Sequence, residues 1–429
     1  MPTRLKRAGS RLTRSQRIAD ERAQARNDLA ALAADRLRAM RFFSDDDYFH
    51  LNPDLNRKTT NAAQHAVSQG KRGGRTILRP LTVARALGAV GSDLPFADSL
   101  PSRDNRSADL VNVLVSSRGN VFMREIAKDL VRDFQLAGAK AVLLDEHVER
   151  PTVGTNLVVA PHEFFVLGKG TKWRDPGFVA DAFMYNTEQM QTPWFTFGLP
   201  WLLSCRGVID LSPQIPPLLR EGGMPAVHYE PRVVGNESAL TSEELAHPLL
   251  DGVPDIRMQP TQCEWQDRPI DLSFFGNQSP KRDAMFARWA GRFAPYRNFI
   301  YYTRNTRPVA DAALTKIAGF IATQSKIYLN VHRDEFNYFE WHRIVRQGMG
   351  SGAVVVSDDS LTHPVYKAGV HFLETDLRDI PNLVDWVLRD PQGRQKAQEI
   401  VTAASQLLAD QRASSQTSAV LEFMAGATA

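Results

Sequence analysis

Lys326-Ile-Tyr-Leu-Asn-Val-His332-Arg-Asp-Glu-Phe-Asn-Tyr-Phe-Glu340-Trp-His-Arg343 runs from an apolar stretch straight into a crowd of ionisable and aromatic side chains. The first six residues have the continuous apolar character of a strand buried on both faces. Ligands of open α/β sheets bind just beyond the carboxyl ends of such strands. The polar cluster therefore marks a candidate binding edge, with His332, Arg333, Glu335, Tyr338, Glu340, His342 and Arg343 as its candidates. Aromatic faces suit stacking on a base or sugar, and carboxylates suit hydroxyl groups. His332 and His342 lack the His-x-x-x-His or His-x-His spacing of metal ligands, so no metal is expected.

Working outward, the same strand–loop–helix grammar repeats. Strands are expected at 270–275, 298–303 and 353–357, with a shorter one at 370–374, and helices at about 280–294, 309–323 and 340–350. Upstream, strands are expected at 111–115, 141–144, 157–160, 182–185, 207–211 and 226–229, with a helix over 121–137. A Pro-rich polar stretch at roughly 230–268 separates the two series. This predicts an α/β protein with two parallel-sheet lobes at 108–255 and 256–390, and helices over 391–429 that pack back on the body. Residues 42–75 hold an aromatic cluster around the turn Asn52-Pro53-Asp54, and 76–107 read as a linker.

Composition is that of an ordinary globular chain: 429 residues, 43% hydrophobic, 23% charged, with two cysteines. Two cysteines exclude a disulfide framework and favour a reducing compartment. No apolar run reaches the length of a membrane span. The net charge of +4 is unevenly placed, because residues 1–41 carry eleven Lys/Arg against four acids, or +7, leaving −3 for the other 388. The basicity belongs to an N-terminal helical arm, which suits peripheral contact with an anionic membrane better than nucleic-acid binding.

Two groups of residues carry candidate chemistry. Gly276 permits close backbone approach after a strand, and Ser279 and Pro280 open a helix whose amino end, with Lys281 and Arg282, suits a phosphate. In the first lobe, His162, Glu163 and Glu188 follow strand ends and are candidate general bases, His162 first because imidazole titrates near neutrality. The loop Ser116-Ser-Arg-Gly119-Asn has no GxGxxG fingerprint, which argues against a dinucleotide site. Asp210, Ser212 and Gln214 are placed along the cleft, Ser212 as a helix cap.

The stretch LNVHRDEFNYFEWHRIVRQGMGSGAVVVSD, with FFGNQSPKR before it and HPVYKAGVHFLETDLRDIPNLVDWVL after it, resembles the C-terminal lobe of bacterial GT-B glycosyltransferase-like proteins. The likeness is to the family 1/4-type lobe and the CgeB-like polysaccharide-biosynthesis group. YNTEQMQTPWF at 185–195 and VIDLSPQIPPLL at 208–219 are similar to the N-terminal lobe of the same group, and 42–75 resembles a short module that accompanies such enzymes. The resemblance implies two facing Rossmann-type lobes, with a nucleotide-sugar donor as co-substrate on the second and an acceptor on the first. It implies a bacterial surface-glycan or lipid-linked acceptor, a cytoplasmic enzyme and no cofactor. Many relatives carry two glutamates eight residues apart that grip the sugar and the ribose. Here eight beyond Glu335 is Arg343, eight beyond Glu340 is Gly348, and the ribose position falls at Arg346 or Gln347. That departure keeps open a non-catalytic subunit of the same architecture.

Overall fold

The computed structural model describes residues 14–70, 75–90, 110–233, 240–258, 263–303, 312–336, 338–413 and 416–426. Of the basic arm, residues 1–13 lie outside these, as do 91–109 of the expected linker. Helix α1 (Arg14–Ala39) carries Ala33, Ala34 and Leu37 into the core, with Met40 just past its end. The Arg36 guanidinium donates to the Leu203 carbonyl at 2.7 Å. The second half of the arm is thus an outer layer of the first lobe, held by burial of small apolar side chains.

Around the Asn-Pro-Asp turn, α2 (Asp45–Leu51) and α3 (Ala62–His65) form a small helical module. Asn52 donates to the carbonyls of Tyr48 and Thr76, and Arg75 grips Asp54 with two hydrogen bonds of 2.7 and 2.6 Å. The segment read as linker contains a helix, α4 (Pro80–Val90). Its first turn is pinned to the module through Arg79 and Thr82, both hydrogen-bonded to Asp47.

The first lobe is a six-stranded sheet of β1 (Leu110–Leu114), β2 (Lys140–Leu144), β3 (Thr155–Val159), β4 (Phe183–Asn186), β5 (Gly207–Asp210) and β6 (Ala226–His228). Its order is β2-β1-β3-β4-β5-β6 and every pairing is parallel. Between the strands lie α5 (Val121–Leu136), α6 (Pro161–Phe164), α7 (Pro176–Asp181), α8 (Pro193–Ser204) and α9 (Ile215–Glu221). Asn120 caps α5 by accepting from the Phe122 N–H, and Ile126, Ala127, Leu130 and Phe134 form its buried stripe.

The Pro-rich connection folds as α10 (Ser242–Leu245) and short turns that bury Leu250 and Ile256. The second lobe has β7 (Ile270–Asn277), β8 (Asn298–Thr303), β9 (Ser325–Asn330), β10 (Val354–Asp358) and β11 (Leu373–Thr375), in the all-parallel order β11-β10-β9-β7-β8. Helices α11 (Pro280–Phe293), α12 (Ala312–Thr323) and α13 (Ile380–Arg389) cover it. The protein is therefore α/β with two Rossmann-like lobes. Helix α14 (Pro391–Ala413) stays with the second lobe, and α15 (Gln416–Gly426) returns to the first, where Thr417 meets the Tyr229 hydroxyl at 2.9 Å and Phe423 stacks edge-on against Phe183.

Four residues form a largely buried polar latch between the lobes. Glu125 and Asp129 sit one turn apart on α5, opposite His342 and Arg346 of a wide helical turn, His342–Gly348. His342 Nε2 lies 2.9 Å from Glu125, while Arg346 reaches Asp129 at 2.7 Å and Glu125 at 3.2 Å. Burial holds His342 below its ordinary value against the pull of Glu125, so the pair works as a neutral ring donating Nε2–H to a carboxylate. Replacing Arg346 by Met would leave two largely buried carboxylates short of a cation. Calorimetry should show a loss of about 3 kcal/mol, partly regained when Asp129→Asn and Glu125→Gln are added.

Candidate active site

Strand order reverses beside β1 and β3 in the first sheet, and beside β7 and β9 in the second. The loops after these four strands form the crevices where doubly wound sheets bind ligands. Here the two lobes share a cleft, with a cavity of about 170 Å³ lined by Phe122 after β1, Glu188 after β4, Asp210 at the end of β5, and Glu340 and Arg343 after β9, so it lies alongside the switch points rather than only at them.

On the first-lobe side, Ala160 takes the left-handed conformation, φ +51°, directly after β3. An alanine held there carries local strain of about 1–2 kcal/mol, and the sharp turn delivers Pro161, His162 and Glu163 to the cleft. Glu163 accepts the Asn120 N–H at 2.8 Å, and its carboxylate lies where a side chain at Gly119 would stand. Glu188 follows β4, accepts from the Thr192 hydroxyl at 3.0 Å, and stands 3.6 Å from His162 Nε2. Burial pushes both Glu163 and Glu188 up to about 7, and the neighbouring Glu163 charge adds to the effect on Glu188. Burial also lifts Asp210 to about 8, although it accepts from the Ser212 N–H and from Asn186.

The three expected bases are thus brought together, with a difference of rank. Glu188 lines the cavity, while His162, only 2% exposed, stands behind it. Ser212 makes no cap bond to α9; its hydroxyl meets Gln214, which in turn donates across the cleft to the Thr362 carbonyl at 2.6 Å.

On the second-lobe side, Ser279 caps α11 by accepting the Arg282 N–H, and Pro280 takes the first helical position. The Arg282 guanidinium turns beneath the helix end and donates to the carbonyls of Val331 (2.8 Å) and Asn277 (2.7 Å). Arg282 and Arg343 both stack on Phe274, at 5.4 and 5.3 Å, and both press on Gly276 so closely that a Cβ there would collide with Arg343. Burial, then the charge of Arg343, brings Arg282 down to about 9. The nearest carboxylate to the Arg343 guanidinium is Glu340, 3.4 Å away, and Arg343 Nη1 is buried without a hydrogen-bond partner among the described residues. Two guanidiniums that repel each other beside a glycine and a helix amino end make a place where an anion is stabilised.

His332 differs from its expected role as a donor contact. Its Nδ1 lies 2.6 Å from Asp358 and its Nε2 2.6 Å from the Tyr338 carbonyl, so both nitrogens donate and the ring is an imidazolium. Burial opposes that charge, but the Asp358 hydrogen bond and the Glu340 charge outweigh it and raise the His332 pKa. Asp358 also holds Lys281 at 2.8 Å and is itself drawn down to about 2. Tyr338 is buried too, its hydroxyl accepting the Met190 N–H of the other lobe at 3.2 Å. His342 belongs to the latch with Glu125, and Arg333 and Glu335 are exposed on the loop that rims the cleft. Asp358 escaped the sequence reading although it ends β10, the position that flagged the others.

A second cluster, His228, Glu230 and His363, also spans the lobes. His363 Nδ1 accepts the N–H groups of Val365 and Tyr366, both at 3.2 Å, which places the ring hydrogen on Nε2. That hydrogen is donated to Glu230 at 2.8 Å. With both nitrogens committed, the trio suits a clasp rather than a metal ion.

The imidazolium–carboxylate pair has a pH signature. The raised His332 pKa gives stability that is complete below 6.5 and fades as pH climbs through the folded-state value; the lowered Asp358 pKa gives stability present above 3.8 and lost towards about 2. The difference in thermal midpoint between the parent and His332→Gln should therefore peak between those two limits and shrink in alkali. A difference that keeps growing above neutrality would contradict the pairing.

No protein-family profile and no curated protein matches the sequence. Among solved structures, the chain is similar to an α1,3-fucosyltransferase, at 10% identity over 74% of this chain and 93% of that one, with a TM-score of 0.36. It is similar to Anabaena Alr3699/HepE in complex with UDP-glucose at 9% identity, over 71% and 99%, with a TM-score of 0.39. An α-glucosyltransferase in complex with UDP and a 13-mer DNA gives 8% identity over 71% and 98%, with a TM-score of 0.45.

Proposed function

We propose that the chain is a glycosyltransferase that moves a sugar from a nucleotide-sugar donor to an acceptor hydroxyl. One observation carries this reading: a single cavity has Glu188, a carboxyl that titrates near neutrality, on one wall and Glu340 with the under-paired Arg343 on the other. Glu188 takes the proton of the acceptor hydroxyl, whose oxygen attacks the anomeric carbon. The bond from that carbon to the phosphate oxygen breaks, and the electron pair leaves with the nucleoside phosphate. Arg343, Arg282, Lys281 and the amino end of α11 face the growing negative charge. Glu340 is the carboxylate placed for sugar hydroxyls.

The acceptor we propose is a bacterial surface glycan or a lipid-linked sugar, in the CgeB-like polysaccharide setting, with the protein in the cytoplasm and its arm at the membrane face. Support comes from the basic residues of 1–41 and from the small Asn-Pro-Asp module. Among the described residues no helix is long and apolar enough to cross a membrane. A second reading, a non-catalytic subunit, is favoured by one feature. Arg346 is engaged with α5, and Gln347 accepts from the Tyr328 hydroxyl at 2.6 Å, so neither offers a ribose contact in place of the relatives' glutamate.

A nucleotide that binds only the folded chain raises its thermal midpoint, and a panel of nucleotides will name the base. Glu188→Gln should keep that rise but lower kcat by about a hundredfold or more, whereas Arg343→Ala should diminish the rise itself. Because the Glu188 pKa is raised to about 7, the base is ionised above that pH, so kcat/KM should fall as pH drops below it. No turnover on any donor would overturn the first reading, and no turnover together with no midpoint shift for any nucleotide would select the second.

A further inference from the structure

Helix α8 begins five residues after Glu188 and presents two different faces. Phe195, Leu199, Leu202 and Leu203 are buried in the lobe, while Trp194 is 46% exposed at the helix's amino end. A tryptophan is the costliest side chain to leave in water, and this one lies just beyond the carboxyl end of β4, next to but not among the residues that line the cavity. Its ring centroid is 6.2 Å from that of His162, whose Nε2 is 3.6 Å from Glu188. Phe197, one turn on, meets Trp194 at 5.6 Å with the planes inclined by 41°, which braces the Trp194 ring.

The preceding loop is rich in hydrogen-bonding groups. Gln191 donates to Gln189 at 2.7 Å and to the Phe336 carbonyl of the opposite lobe at 3.0 Å. The Gln191 side-chain oxygen is buried without a hydrogen-bond partner among the described residues. An aromatic face bordered by carboxyls and amides matches a pyranose ring. Such a ring has one face of C–H groups, whose partial positive charge suits the negative face of an indole, and a rim of hydroxyls for polar neighbours.

We infer that Trp194 is the platform for the sugar ring of the acceptor, and that the acceptor is therefore carbohydrate at the point of attack rather than a protein or lipid hydroxyl. The inference rests on the reading of Glu188 as the base, since Trp194 is placed by its distance from His162 and Glu188. Trp194 acts as a positioning residue. It holds the ring so that one hydroxyl projects towards Glu188, and it takes no part in bond making.

The test is saturation-transfer NMR on the full chain with methyl glycosides of glucose, galactose, mannose and N-acetylglucosamine. At least one should bind, with transfer concentrated on the C–H groups of one ring face. Trp194→Ala should weaken that binding by about tenfold or more, and Trp194→Tyr, which keeps an aromatic face, should restore most of it. The nucleotide-induced midpoint shift should be the same in all three proteins, which separates failure of the platform from failure of the donor reading. The proposal is overturned if no glycoside binds the parent chain, or if Trp194→Ala binds as well as the parent. It is equally overturned if Trp194→Ala loses only binding to anionic phospholipid vesicles, since the tryptophan would then be a membrane anchor.

Discussion

Two turns of helix, one from each lobe, hold the cleft in register. Glu125 and Asp129 share a face of α5 because four residues make one turn, and His342 and Arg346 share a face of the wide turn for the same reason. Charges this far from water need partners, and each set supplies the other's. Their neighbours in the same segment point the other way: Arg343 packs on Phe274 beside Gly276, and Gln347 meets Tyr328 inside the second lobe. One short segment therefore contributes to the lobe-to-lobe contact with some side chains and to the surroundings of Gly276 with others. Displacing it would disturb both at once.

The two walls of the cleft are electrostatic opposites, and each departs from what isolated side chains would do. On the first lobe, burial keeps Glu163, Glu188 and Asp210 from ionising at their ordinary values, so that wall sheds much of its negative charge as pH falls through neutrality. On the second lobe, Arg282 donates to carbonyl oxygens, which satisfy its hydrogens without cancelling its charge. The Lys281 charge, by contrast, is largely answered by Asp358. The positive charge left at Gly276 thus comes chiefly from Arg282 and Arg343, with Glu340 as their nearby counter-charge.

The fold was legible because strands in a parallel sheet are buried on both faces and carry short apolar runs; Val354-Val-Val356 within Val354–Asp358 and Ile327-Tyr-Leu329 within Ser325–Asn330 are examples, in strands with four or more buried positions each. Helix α4 was not, since the Pro, Ser and Asp of 76–107 read together as a linker, whereas Val83, Ala86 and Leu87 are buried and the helix start is tied to Asp47. The same divide runs through the site. Placement after a strand end singled out Gly276, His332, His162 and Glu188, a rule of topology that sequence carries. What each group does depends on partners far along the chain: Asp358 makes His332 a structural cation, and Glu125, 217 residues away, takes His342. One feature of the wall is invisible in sequence, because burial gives the Glu188 carboxyl the near-neutral pKa that an exposed imidazole has by default.

The net charge of +4 invites the idea of a basic surface drawing in an anionic partner, yet the chain outside residues 1–41 is net negative. The cleft resolves this. Its positive character comes from a few groups converging on a residue without a side chain, at a helix end where backbone N–H groups add to them. Charges exposed to water lose their mutual influence over about 8–10 Å at physiological salt, whereas buried ones are screened far less. An anion held by Arg343 and its neighbours would therefore feel local contacts and little of the tail, while any attraction of the arm for a surface would be weakened by salt. Any binding at Gly276 and any attachment through the arm would be physically separable, and a single overall charge would describe neither.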